Sequence, residues 1–175
     1  MDNLTTQALL DFLSELGKHV SSPTRLLLLG GSALNLLGNP RPTLDIDYLG
    51  DDLNKTDFQL TIDQIAAQHR LYVEAIPFYH FIPIPEDSDR RHIFYKRFGQ
   101  LDVYIFDPYA IALAKIDRGF DTDIDDVLFL VRQSLVDILR LRKMLEIALE
   151  RAVEFDLHPV QARQRIKYIQ EALGS

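Results

Sequence analysis

Asp45 and Asp47 are separated by one residue, Ile46, inside the segment TLDIDYLG, which otherwise reads as a strand. In a strand, residues i and i+2 face the same side, roughly 6.6 Å apart along the chain. The two carboxylates therefore project together, while Ile46 points into the core. Two like charges on one face cost stability, and a cation between them removes that cost. Hard carboxylate oxygens suit Mg²⁺ or Mn²⁺. Upstream, the apolar run TRLLLLG ends at Gly30, Gly31 and Ser32. The glycines permit a tight bend and the close approach of a phosphate. A helix opening behind them offers N–H groups and a positive dipole end, and the Ser32 hydroxyl adds a donor. A phosphate cradle and a metal-binding strand thus fall within one 18-residue span, Gly30 to Asp47. That is the layout needed to hold a nucleoside triphosphate with its metal ions.

The elements that must position these residues follow from periodicity. LTTQALLDFLSELGKHV places Leu9, Phe12, Leu13 and Leu16 at helical spacing. TRLLLLG is a short buried strand, GSALNLLG a short helix, NPRP a loop and TLDIDYLG the second strand. DDLNKTDFQLTIDQIAAQHR begins as a loop and becomes a helix, and LYVEAIPF is a third strand. The proline-rich HFIPIPEDSD reads as an irregular, mobile loop. RRHIFYKRFGQLDVYIF reads as a hairpin turning at Phe98 to Gln100. Asp107 then caps a helix with Pro108 at its first position, and that helix ends at Gly119. DTDIDDVLFLVRQ, SLVDILRLRKMLEIALERAVEF and HPVQARQRIKYIQEAL complete a helical C-terminal third. The expected fold is α+β: a small, mixed, mostly antiparallel sheet with flanking helices. Residues 1–120 form the core, and residues 121–175 form a helical region packed on it as one compact unit.

Composition narrows the function classes. The chain has 175 residues, 47% of them hydrophobic, and no cysteine, which excludes disulfides and thiolate zinc sites. No apolar run approaches the roughly 20 residues of a membrane span. The N-terminal stretch carries acids and lacks a basic leader region, so a cytoplasmic protein is expected. A net charge of -7 disfavours broad coating of nucleic acid. The local basic segment DRRHIFYKR is either a charge-blunted edge strand or a substrate-binding patch. His19, His69, His80, His92 and His158 are scattered, with no pair at metal spacing. Tyr48 and Tyr104 are candidates for stacking on a base, although strand aromatics usually pack. No P-loop motif is present.

LGGSALNLLGNPRPTLDIDYL resembles the signature of the DNA polymerase beta-like nucleotidyltransferase superfamily. That signature has an apolar residue, Gly and Gly or Ser, then further along Asp, an apolar residue, and Asp or Glu. Here the gap after Gly31-Ser32, from Ala33 to Leu44, is 12 residues. RPTLDID is similar to the AbiEii and MenT group of toxin-type nucleotidyltransferases, which share Arg, a spacer, Ser or Thr, a spacer and the Asp pair. The resemblance implies that Asp45 and Asp47 bind metal. It implies that Gly30, Gly31, Ser32, Arg41 and Thr43 serve the nucleotide. The superfamily often has a third carboxylate on a neighbouring strand, and Asp102 in QLDVYIF fits that role. Related toxins also carry a Lys, then an Arg, then an acidic segment opening the next helix. Lys115, Arg118, Asp123 and Asp126 match those positions, while Thr122 departs from the basic residue often found there. Acids at a helix start are also stabilising by themselves, whereas a lysine within AIALAKI needs a partner.

These observations imply a metal-dependent transfer of a nucleoside monophosphate from an NTP to an acceptor. The acceptors expected are an RNA such as tRNA, a protein or a small molecule. A toxin role would bring a cognate antitoxin as partner, and no membrane association is expected. The alternative is a catalytically silent nucleotide-binding or antitoxin-like module with the same fold.

Overall fold

The computed structural model describes residues 3–174, so the first two residues of the acid-bearing N-terminal stretch lie outside it. The chain divides into two units, Met1–Pro77 with His92–Phe106, and Phe78–Arg91 with Asp107–Ser175.

The first unit holds β1 (Thr24–Leu29), β2 (Asp45–Leu49), β3 (Tyr72–Ile76), β4 (Ile93–Phe98) and β5 (Leu101–Ile105) in the order β3-β2-β1-β5-β4. β1 pairs antiparallel with β2 and parallel with β5; β2 pairs parallel with β3, and β4 antiparallel with β5. The sheet is mixed as expected, with its pairings evenly divided rather than mostly antiparallel. The parallel β2–β3 pair needs a crossover, supplied by α3 (Asp57–His69). α3 starts at a capping box in which Thr56 and Gln59 satisfy each other's backbone N–H groups. α1 (Thr6–Lys18) buries Leu9, Phe12, Leu13 and Leu16, the periodic residues of its sequence.

Alternation divides the sheet into two faces. Leu26, Leu28, Ile46, Tyr48, Ala75, Leu101, Val103 and Ile105 are buried. α3 meets this side through Gln59, which donates to the Tyr48 hydroxyl at 3.5 Å. α1 approaches it at Gly17, where an added Cβ would stand 2.7 Å from the Phe98 Cβ. The other face carries Asp45, Asp47 and Glu74 at one end and Arg25, Asp102 and Tyr104 at the other.

The second unit is helical: α4 (Pro108–Arg118), α5 (Asp121–Arg132), α6 (Ile138–Leu149), α7 (Ala152–Phe155) and α8 (Pro159–Ala172). α4 packs with α5, α6 and α8, so the division falls after Phe106 rather than at residue 120. The apolar residues of AIALAKI find their partners among the later helices. Asp107 caps α4 from a fully buried position and takes an Nη2–Oδ2 hydrogen bond of 2.7 Å from Arg91. The proline-rich segment is anchored rather than irregular throughout. It contains 3₁₀ turns at Phe78–His80 and Ser88–Arg91, and Ile82 between them is 1% exposed. Residues 134–155 contain two helices, α6 starting at the Asp137 cap and α7 closing at the Asp156 C-cap, whose φ is 54°.

Candidate active site

β2 builds the site by simple alternation. Ile46 and Tyr48 are buried while Asp45 and Asp47 are half-buried on the opposite face. The parallel register sets Asp47 opposite Glu74 on β3. Carboxylate oxygens of Asp45, Asp47 and Glu74 all lie within 4.8 Å of one another. At that separation each pair of charges repels by about 1 kcal/mol in water and ~3 kcal/mol at an effective dielectric near 20. Such a cluster is costly by itself and is relieved by a divalent cation. The donor set is oxygen only, which suits Mg²⁺ or Mn²⁺ rather than a softer metal.

The turn after β1 is shaped to this cluster. Gly30 has φ 64°, and a Cβ there would collide with the Asp47 carboxylate. Glycine is required on both counts, conformation and space. At Gly31 a Cβ would lie 2.9 Å from Arg41 Nη2 and 2.9 Å from Thr43 Oγ1. The Arg41–Thr43 segment therefore packs directly on the glycine turn. Asn35 of α2 (Gly30–Leu36) holds that segment by donating to the carbonyls of Asn39 and Arg41, both at 2.7 Å. Thr43, buried, donates from Oγ1 to Asp45 Oδ1 at 3.2 Å. The RPTLDID sequence thus links its Arg and Thr physically to the glycines and to the first aspartate.

Two site expectations from sequence need correction. Asp102 stands opposite Arg25, whereas Asp47 stands opposite Leu29. Four residues of β1 separate these levels, about 13 Å along the strand. Asp102 shares the face of the aspartates but not their end of the sheet. It pairs instead with Arg97 through hydrogen bonds of 2.6 and 2.9 Å, and that guanidinium holds its carboxyl below the ordinary value. The carboxylate that does stand beside Asp45 and Asp47 is that of Glu74. Ser32 is fully buried, and its hydroxyl turns back toward the Leu29 carbonyl at 3.5 Å rather than outward. Tyr48 is likewise core: it is 2% exposed, and burial pushes its phenol pKa up.

Lys115, Arg118, Asp123 and Asp126 are brought together in the second unit. Lys115 Nζ donates to Asp126 Oδ2 at 2.7 Å and to Asp123 Oδ1 at 3.2 Å. Arg118 grips Asp123 at 2.6 and 2.8 Å, and the Phe120 N–H adds 3.2 Å. Burial alone would raise the Asp123 pKa. Hydrogen bonds and charge from Arg118 and Lys115 outweigh it and hold that pKa below its ordinary value. Asp123 and Asp126, in the first two turns of α5, are therefore each tied to a specific cation.

Glu74 carried little signal in the sequence. An isolated Glu in LYVEAIPF has the appearance of an ordinary solvent-facing strand residue. Its alternation with Val73 and Ala75 gives the face, and pairing with β2 gives the level. Residues 6–170 match the model of a family described as a nucleotidyltransferase of unknown function (DUF6036). No curated protein and no solved structure matches the chain. Among the described residues, no helix is long and apolar enough to cross a membrane.

Proposed function

The chain belongs to this DUF6036 family of nucleotidyltransferases, and from that premise we propose that it transfers a nucleoside monophosphate from an NTP to an acceptor hydroxyl, with Asp45, Asp47 and Glu74 holding divalent cations. The observation that carries the reading is the convergence of the three carboxylates within 4.8 Å beside a glycine turn that admits no side chain. Mg²⁺ or Mn²⁺ bound there would supply charge neutralisation and a lowered pKa for the attacking hydroxyl. The protein's own groups position the reactants. Thr43 orients Asp45, Gly30 leaves room for Asp47, and Gly31 brings Arg41 against the turn, where its cation suits phosphate. A bond forms from the acceptor oxygen to the α-phosphorus, and the bond to the bridging oxygen breaks. Pyrophosphate leaves with that electron pair, and the acceptor proton passes to solvent.

The resemblance alone assigns Lys115, Arg118 and Asp123 to the nucleotide; within the second unit they form a charge cluster in which the Arg118 side chain is exposed. The similarity of RPTLDID to the AbiEii and MenT group supports a narrower reading. On it, the enzyme is a cytoplasmic toxin modifying RNA such as tRNA, or a protein, and is restrained by a cognate antitoxin. A silent binding module is disfavoured because Glu74 supplies the third carboxylate that Asp102 does not.

The test is transfer of label from each α-labelled NTP to cellular RNA or protein extract, with Mg²⁺ or Mn²⁺. Label on one acceptor class, lost in Asp45→Asn, is the expected outcome. Bound NTP with no label transferred from any nucleotide would point to the silent module instead.

A further inference from the structure

The sheet face that carries the three carboxylates continues past Leu27 to a second group of side chains. Arg25 stands opposite Asp102, Leu27 opposite Tyr104, Phe94 opposite Tyr104, and Arg97 opposite Asp102. The Arg25 guanidinium lies 4.3 Å from the Tyr104 ring centroid, and Phe94 meets the same ring at 5.4 Å, tilted by 70°. Arg97 is held to Asp102 by two hydrogen bonds. Phe94 is 52% exposed and the Arg97 side chain 67%. Solvated sheet faces are ordinarily polar. Here an exposed aromatic and a tyrosine stand between two arginines, on the same sheet face as the three carboxylates.

We propose that this patch is a platform for the end of a single-stranded nucleic-acid acceptor, an inference that rests on the nucleotidyltransferase reading. Bases stack on Phe94 and Tyr104, phosphates meet Arg25 and Arg97, and the terminal hydroxyl reaches the carboxylates. Three features favour this occupant. Arg25 and Arg97 against Asp102 leave this end of the face one positive charge, in contrast to the three carboxylates at its other end, so the phosphates of a polyanion are drawn to the arginine end. Aromatic rings on a sheet offer bases a stacking surface that needs no sequence readout. Tyr104 lies only about 7 Å along the strands and about 10 Å across them from Asp47, so neighbouring nucleotides of one strand bridge the two groups.

The experiment is fluorescence anisotropy of a labelled short single strand, as RNA and as DNA, without NTP or metal. Tyr104→Ala and Phe94→Ala are expected to weaken binding roughly tenfold or more each, while Tyr104→Phe, which keeps the ring, restores it. Arg25→Gln is expected to lower the slope of log K against log salt by about 0.7, the value of one phosphate contact on a single strand. The RNA and DNA arms identify which strand is preferred. No binding, or equal binding by wild type and both alanine variants, overturns the platform. If the platform fails while label from an NTP reaches a polypeptide, the acceptor assignment falls and the transferase reading stands. If no NTP is transferred at all, the anisotropy series still decides the platform separately.

Discussion

Glu74→Gln removes one charge from a cluster of three. Its carboxylate lies within 4.8 Å of those of both Asp45 and Asp47, so two repulsive pairs disappear. Glu74 is exposed, and the water-like value of about 1 kcal/mol per pair therefore governs. The metal-free variant is expected to be more stable than wild type by about 1–2 kcal/mol. In a chain of this length that is a Tm higher by roughly 2–8 °C. With metal the order reverses. A cation present at a hundred times its Kd stabilises wild type by about 2.7 kcal/mol, and the variant gains much less because a ligand is missing. Thermal unfolding with chelator and then with increasing Mn²⁺ or Mg²⁺ reads both effects in one series. A variant that is destabilised under chelator, or that gains as much from metal as wild type, would refute Glu74 as a member of the cluster. Asp102→Asn provides the contrast: its metal-dependent gain in Tm is expected to equal that of wild type, because Asp102 stands about 13 Å further along the sheet.

Gly30→Ala places a Cβ against the Asp47 carboxylate at a φ of 64°, where a side chain costs roughly 1–2 kcal/mol before the clash. Metal-dependent stabilisation and label transfer are both expected to be lost, with far-UV circular dichroism unchanged. Arg91→Ala leaves the fully buried Asp107 without its bidentate partner. The expected cost in urea unfolding is about 3–5 kcal/mol, and a neutral result would mean that Asp107 is satisfied by its helix-cap bonds alone. Asp123 has a pKa lowered in the folded protein. Its contribution to stability is therefore complete above the unfolded carboxylate pKa of about 4 and is lost as pH falls below it. Asp123→Asn is expected to flatten that acid limb in a series of unfolding curves, and an unchanged limb would assign the acid sensitivity to other carboxylates.

What the sequence disclosed, and what it withheld, follows from the range of the forces involved. Alternation along β2 is local: Asp45 and Asp47 must share a face because Ile46 and Tyr48 take the other. The cap at Asp107 and the stop at Gly119 are local too, and both were legible. The glycine turn and the RPTLDID segment were legible as a pattern, although their contact, Gly31 against Arg41 and Thr43, needed the fold. The third carboxylate was not legible, for a definite reason. Two strands beyond the aspartates carry an acid that alternation points to the open face, Glu74 on β3 and Asp102 on β5. Choosing between them is a question of register, and register is fixed by long-range pairing. β3 returns through α3 to lie parallel beside β2 with Glu74 level with Asp47. β5 lies beside β1, and its parallel register places Asp102 level with Arg25, at the far end of the strand from the glycine turn. The same pairing gives Asp102 a different partner, Arg97 on β4. An acid on the correct face thus joins the carboxylate cluster or becomes half of an ion pair according to which strand its own is paired with, and at what level. The substitution series on Glu74 and Asp102 tests that register directly, because on the proposed function only the acid level with Asp47 is expected to couple to a metal.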